Sequence, residues 1–317
     1  MKKITASALS LVLVAAALSG CGKTSKPASP IQNTGIVGMN GATAVDVAQT
    51  SDAITANPTL VNENLFVDST PMVFASLGAD GGVPSLHRPL RWWRTIDSTS
   101  RSVSFVYANP DSLGRPTTAI ATVNRHLLGN FHVVLSDTSH ADSLHHVTVK
   151  PLDDAWTRKL ALQRFKVVTD SAGTNSLWRI VGTSGVLVTS AGATEHIQSV
   201  RVQSASVDTT ITDPLEMHRL RRFECFHGFA LVTLTVTTDK TDDVVAFYRD
   251  GDRRPFTNNG DGTYSITFVG VDFGGPRHFG VNAFANGTIN TDTYPYDSQA
   301  WILPFVSRDG DRSIDRH

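Results

Sequence analysis

Ala230-Leu231-Val232-Thr233-Leu234-Thr235-Val236-Thr237 is the stretch that decides the fold class. Ala230, Val232, Leu234 and Val236 alternate with threonines, the period-2 pattern of a strand with one face in a core and one toward water. Valine and threonine, branched at Cβ, suit a pleated surface better than a helix. The pattern repeats downstream. Val244 to Tyr248 is a second run and leads into Asp250-Gly251. Tyr264, Ile266 and Phe268 alternate with Ser265 and Thr267, and Phe279, Val281 and Ala283 follow. Asn286-Gly287 reads as a hairpin turn that sets Phe284 opposite Ile289, and Trp301 to Val306 is the last run. Strands at this spacing over residues 226–307 predict a β-sandwich, with 308–317 as a polar tail.

Upstream the same signals continue. Ser102 to Tyr107 is one run; Ala119 to Leu128 and Phe131 to Leu135 flank Gly129-Asn130, which predicts a two-residue hairpin turn. Residues 144–151 and 156–165 come next, with Arg158, Leu160, Leu162 and Arg164 on one face. Trp178 to Val188 is interrupted by Gly182 and Gly185, where a bulge or bend is expected. Ile197 to Val202 closes the series. Residues 43–205 therefore predict an N-terminal antiparallel curved sheet or barrel, with a minor helix best placed at 43–55. Residues 206–225 read as a linker, and Asp213-Pro214 is a helix-start pattern within it. Composition agrees with a mainly β chain: 25 Asp stand against 4 Glu, so the good helix former among the acids is nearly absent.

The chain opens with Met1-Lys2-Lys3, an apolar run of 13 residues from Ala6 to Leu18, and then Ser19-Gly20-Cys21. That order is a charged n-region, an h-region too short to span a bilayer, and a small-residue cleavage site. Leu18-Ser19-Gly20-Cys21 resembles the lipobox of bacterial lipoproteins. The resemblance implies removal of residues 1–20, lipidation of Cys21 and anchoring of the mature chain in the cell envelope. Gly22 in place of Asp after the cysteine implies the outer membrane of a diderm bacterium. Residues 21–42 are rich in Gly, Ser, Thr, Pro and Asn, too poor in apolar surface to fold, and read as a flexible tether. Without Lys2 and Lys3 the 28 basic residues fall to 26 against 29 acidic ones, a net charge of −3. No basic footprint for nucleic acid is present.

Asn259-Gly260-Asp261-Gly262-Thr263-Tyr264-Ser265 resembles the turn-plus-strand signature of filamin-type and bacterial Ig-like domains, and Val245 to Gly251 resembles their third strand. The resemblance implies an Ig-like sandwich over 226–306 with Tyr264 packed inward. It carries no activity. Cys225 has no mate once Cys21 carries lipid, so the disulfide-bonded Ig pattern does not apply. Between Phe223 and Phe226 it reads as a small buried hydrophobe.

Candidate chemistry is sparse. His126, His132, His140, His145 and His146 are dense enough to suggest a metal, but a turn at Gly129-Asn130 would point His126 and His132 to opposite faces, so no metal site is expected. Asp250-Gly251-Asp252 and Asp309-Gly310-Asp311 lack the ligand spacing of a calcium loop and read as turns. Asp153-Asp154 reads as a loop rather than a carboxylate pair. Gly182-Thr183-Ser184-Gly185 is one residue short of a nucleophile elbow. No catalytic residue and no cofactor is assigned. Arg91, Trp92, Trp93 and Arg94 form the best ligand patch, with one Trp in the core and the other partly exposed. The expected function is a lipid-anchored, non-enzymatic binding, adhesion or assembly module with a protein or glycan partner. The alternatives are a carrier of a small apolar ligand or lipid in the first β unit, and third, an envelope hydrolase.

Overall fold

The computed structural model describes residues 41–308 apart from 62–65, 67–70, 74–86, 138–144, 170–172, 220–224, 228–229, 250–251 and 271–274. The leader, Cys21, His140, Asp250 and residues 309–317 lie outside the described residues. Helix α1 (Ala44–Thr55) starts at Thr43, whose Oγ1 accepts from the Asp46 N–H (3.3 Å), while the Asp46 carboxylate accepts from the Thr43 N–H (2.9 Å). This reciprocal pairing satisfies two amides that the first turn leaves orphaned. One further turn, α2 (Pro58–Val61), and a short β1 (Met72–Val73) precede four long strands. These are β2 (His87–Pro110), β3 (Pro116–Asp137), β4 (His145–Thr169) and β5 (Gly173–Ser190), an antiparallel meander.

The turn expected at Gly129-Asn130 is not there: β3 runs straight through both residues. Gly129 serves a bulge instead. The β2–β3 register shifts between Ile96 and Ser98, opposite Gly129, and a Cβ on Gly129 would lie 2.0 Å from the Thr95 carbonyl oxygen. The extra residue in β2 changes which side chains point inward, from Trp92 and Arg94 before it to Val103, Phe105 and Tyr107 after it. Gly129→Ala should therefore cost about 2 kcal/mol or more through backbone crowding, read as a lowered urea midpoint. An unchanged midpoint would mean that the bulge yields freely. Where Gly182 and Gly185 predict a bulge or bend, the β4–β5 register shifts twice, between Arg158 and Leu160 and between Ala161 and Leu162.

Downstream come β6 (Ile197–Gln203), β7 (Asp208–Ile211), β8 (His218–Arg219), β9 (Cys225–His227), β10 (Leu231–Thr238), β11 (Val244–Arg249), β12 (Asp252–Pro255), β13 (Thr257–Asn258), β14 (Thr263–Val269), β15 (Gly275–Phe284), α3 (Asn286–Asn290) and β16 (Ser298–Arg308). One sheet runs β1-β2-β3-β4-β5-β16-β15-β11-β12, with β8 added on β5 and β9 on β16. The other runs β13-β14-β10-β6-β7. Pairing is antiparallel except for β9, where Cys225 lies parallel to Val306. The protein is mainly β, and the two sheets pack as a β-sandwich.

Three expectations need correction. Ile197–Gln203 and Asp208–Ile211, read as the end of the first unit and part of the linker, pair with β10 in the five-stranded sheet. Alternation identifies a strand but not its neighbour; here Val200 and Val202 join the sandwich core beside Val232 and Leu234. Asp213-Pro214 makes a turn rather than a helix: Asp213 Oδ1 accepts from the Leu215 N–H (2.8 Å). This segment lies so close to β5 that a Cβ on Gly185 would sit 2.8 Å from the Pro214 carbonyl oxygen. Asn286-Gly287 opens α3 rather than a hairpin, and β15 pairs with β16 across the whole 285–297 connection.

The cores follow from this topology. β5 pairs with β16 from Thr189↔Gln299 to Val186↔Ile302, which makes the long meander and one sandwich sheet continuous. The sheet rolls until β1 and β12 come close without pairing, so it is curved and not a closed barrel. Inside the roll lie Phe66, Trp92, Phe131, Trp156, Tyr248, Phe284 and Tyr296. β11 is buried on both faces: Ala246 and Tyr248 enter this interior, while Val245 and Phe247 enter the sandwich core with Tyr264, which points inward. A third core lies under α1 and α2, where Ile54 and Val61 meet Phe105, Tyr107, Leu160 and Trp178.

Candidate functional site

Strand alternation splits the Arg91-Trp92-Trp93-Arg94 patch into two surfaces. Trp92 and Arg94 point into the roll, and both are buried. The Arg94 guanidinium lies 5.2–5.9 Å from the ring centres of Phe66, Trp92, Phe284, Phe131 and Tyr296. It donates to the Tyr296 hydroxyl (3.1 Å) and to the Tyr248 hydroxyl (3.5 Å). Tyr296 donates onward to Asp154 Oδ2 (3.1 Å) and accepts from Ser298 Oγ (2.8 Å). Burial disfavours the Arg94 charge, but Tyr296, Tyr248 and Asp154 more than offset it and raise its pKa. Burial pushes the Asp154 carboxyl up to about 6, opposed by Arg94 and by the Tyr296 hydrogen bond. A charged cation held by five aromatic faces and a relayed carboxylate fills this interior.

Arg91 and Trp93 face outward. The Trp93 ring stacks on His132 (centroids 4.8 Å apart, planes 3° off parallel), and the Arg91 guanidinium lies 5.6 Å from the Trp93 ring centre. His132 Nε2 hydrogen-bonds Thr95 Oγ1 (2.9 Å). Burial lowers the His132 pKa against the pull of Asp97, which favours the neutral ring. Register sets Val149 beside His132 and Val147 beside Val134, and both valines are about half exposed (52% and 51%). The result is a ridge of cation, stacked rings and bare aliphatic surface across β2, β3 and β4.

Neither His126 nor His146 joins it. With β3 continuous, His126 and His132 share the outer face rather than diverging, yet six residues separate them. His126 pairs with Asp153, and His146 with Asp292 (2.9 Å). Asp153 and Asp154 sit mid-strand in β4, not in a loop, and alternation sends them to opposite faces. Sequence reading missed Asp154, although Leu152, Asp154, Trp156 and Arg158 carry the inward period of β4. It also missed an acidic group between connections: Glu195 and Asp243 are buried, Asp239 is exposed, and one oxygen of each lies within 4.8 Å of the others. Burial and then the Glu195 carboxylate push Asp243 up to about 8.

Comparison with protein-family models, with curated proteins and with solved structures finds no match to this chain.

Proposed function

We propose that the chain is a lipid-anchored protein of the cell envelope, tethered through Cys21, that acts without catalysis by binding a protein partner on the outer face of β2–β4. The observation that carries this reading is the filled roll. Arg94 and its aromatic cage occupy the space that a carried lipid or apolar ligand would need. A recess between α2 and the sheet, beside Trp156, measures about 10 Å³, room for a single water. Binding then falls to the exterior, and the Arg91–Trp93–His132 ridge with Val147 and Val149 supplies it. Arginine and tryptophan are enriched where proteins dock, and the half-exposed valines add apolar area beside them. His132 already covers one face of the Trp93 ring, which suits a protein contact better than a stacked sugar.

The test is fractionation and crosslinking in one strain. Cys21→Ala should move the chain from the membrane to the soluble fraction; retention in the membrane refutes the anchor. A photoreactive residue at Val149 should give a discrete protein adduct that Trp93→Ala weakens severalfold. An adduct with glycan alone, or none at Val149 when a control position on the sandwich gives one, refutes the docking face.

A further inference from the structure

Glu195 lies in the connection from β5 to β6, and Asp239 and Asp243 in the connection from β10 to β11. The two connections are stitched together: the His196 N–H donates to Asp239 Oδ1 (3.3 Å), and the Asp239 N–H donates to the His196 carbonyl (3.2 Å). The β10–β11 connection is held further by Thr238 Oγ1 (2.8 Å) and the Tyr264 hydroxyl (3.3 Å), both donating to the Lys240 carbonyl, and by Asn258 donating to the Thr241 carbonyl (2.8 Å). The acidic group therefore sits on a fixed frame.

Asp243 is 4% exposed, and neither of its carboxylate oxygens meets a donor at good hydrogen-bonding geometry, with Thr238 and Glu195 its polar neighbours. Glu195 is fully buried, and its Oε2 also meets none. Buried carboxylate oxygens without donors are costly and call for a counter-charge. Lys240 supplies part of it: its ammonium pairs with Glu195 Oε1 and reaches Thr194 Oγ1 (3.3 Å). Three carboxyl groups share this one ammonium, so the group has room for further positive charge.

We propose that Glu195, Asp239 and Asp243 form a binding site for a hard divalent cation of the calcium class at this end of the sandwich. All three carboxylates offer an oxygen within 4.8 Å of the others, so a single ion with bonds of about 2.3–2.6 Å can touch each of them. The donor set is oxygen only, which excludes soft metals. The Lys240 side chain is partly exposed and can swing to solvent as the ion enters. The site is independent of the docking ridge on β2–β4 and stands whether or not that reading holds.

The probes are calcium itself and terbium, whose emission Tyr264 can sensitise. In the whole mature chain, millimolar calcium should raise Tm by about 5 °C relative to chelator. Terbium emission should appear with one equivalent bound and be displaced by calcium. Asp243→Asn should abolish both effects, but it also relieves buried repulsion and can stabilise the ion-free fold. The exposed Asp239→Asn avoids that ambiguity and should weaken calcium at least tenfold with an unchanged Tm in chelator. Lys240→Met should tighten calcium about tenfold. Two results overturn the proposal: no calcium-dependent rise in Tm in the unsubstituted chain, or a rise that survives both Asp239→Asn and Asp243→Asn.

Discussion

Arg94→Met should destabilise the protein by about 3–5 kcal/mol, the range seen when one partner of a buried charge pair is removed. The methionine keeps much of the aliphatic stem, so packing loss is small. What is lost is the cation that five rings and two tyrosine hydroxyls surround. Asp154 then remains buried with only Tyr296 donating to it. Exchanging both groups for apolar ones removes the stranded charge, so Arg94→Met with Asp154→Leu should recover much of the loss. Urea midpoints of the four proteins form a double-mutant cycle. A coupling of about 2 kcal/mol or more supports the relay through Tyr296, and simple additivity contradicts it.

The same pair sets a pH signature. Asp154 is held at about 6 against an ordinary 3.8, so the folded chain binds more protons than the unfolded one between these values. Stability from this group is greatest at low pH and falls as pH rises from about 4 to about 6, by about 3 kcal/mol in all, then stays level. Removing Arg94 takes away an attraction that favours the ionised form, which extends the fall to higher pH. The penalty of Arg94→Met should therefore be larger at pH 8 than at pH 5. Equal penalties would assign Arg94 a packing role alone.

Period-2 alternation made the strands legible, because half-buried strands such as Leu231–Thr238 show it cleanly. Helix α1 falls within the 43–55 expected, and the Thr43 cap that starts it, which that expectation did not use, is equally local. What stayed hidden was long range. Gly129-Asn130 has the composition of a hairpin turn, and only the approach of the Thr95 carbonyl explains the glycine. Val244 to Tyr248 looks like one more strand, yet it separates two cores because β16 joins β5 on its far side of the sheet. The ligand patch was partly legible: alternation splits Trp92 from Trp93, but nothing local sets His132 against Trp93. The cage around Arg94 draws on residues from 66 to 296, and the acidic group on 195 to 243, distances at which spacing carries no signal.

Asp46→Ala should cost about 4 kcal/mol and free helix α1. One carboxylate does three jobs. Its Oδ2 accepts from the Thr43 N–H and Oγ1 (2.9 Å each), while its Oδ1 pairs with Arg164 and accepts from Trp178 Nε1 (3.1 Å). Arg164 is largely buried over the Trp178 ring, 5.2 Å from its centre, so losing Asp46 strands a guanidinium as well as a cap. Thr43→Ala should cost only about 1 kcal/mol, the worth of the cap. Asp46→Asn, which keeps an acceptor but not the charge, should fall between. The difference separates capping from ion pairing. Hydrogen exchange then tells how the loss is distributed. The third core binds α1 through Ile54 and through Thr50 Oγ1, which meets the Tyr107 hydroxyl at 2.8 Å, and these contacts are few beside the ladders of β2–β5. Exchange should therefore rise in residues 44–55 while the Arg94 interior stays protected. Under the proposed function such a variant keeps its docking face and loses the fixed angle between that face and the membrane. An equal rise throughout β2–β5 would instead make α1 an integral part of one cooperative unit, with Asp46 the bond that closes it.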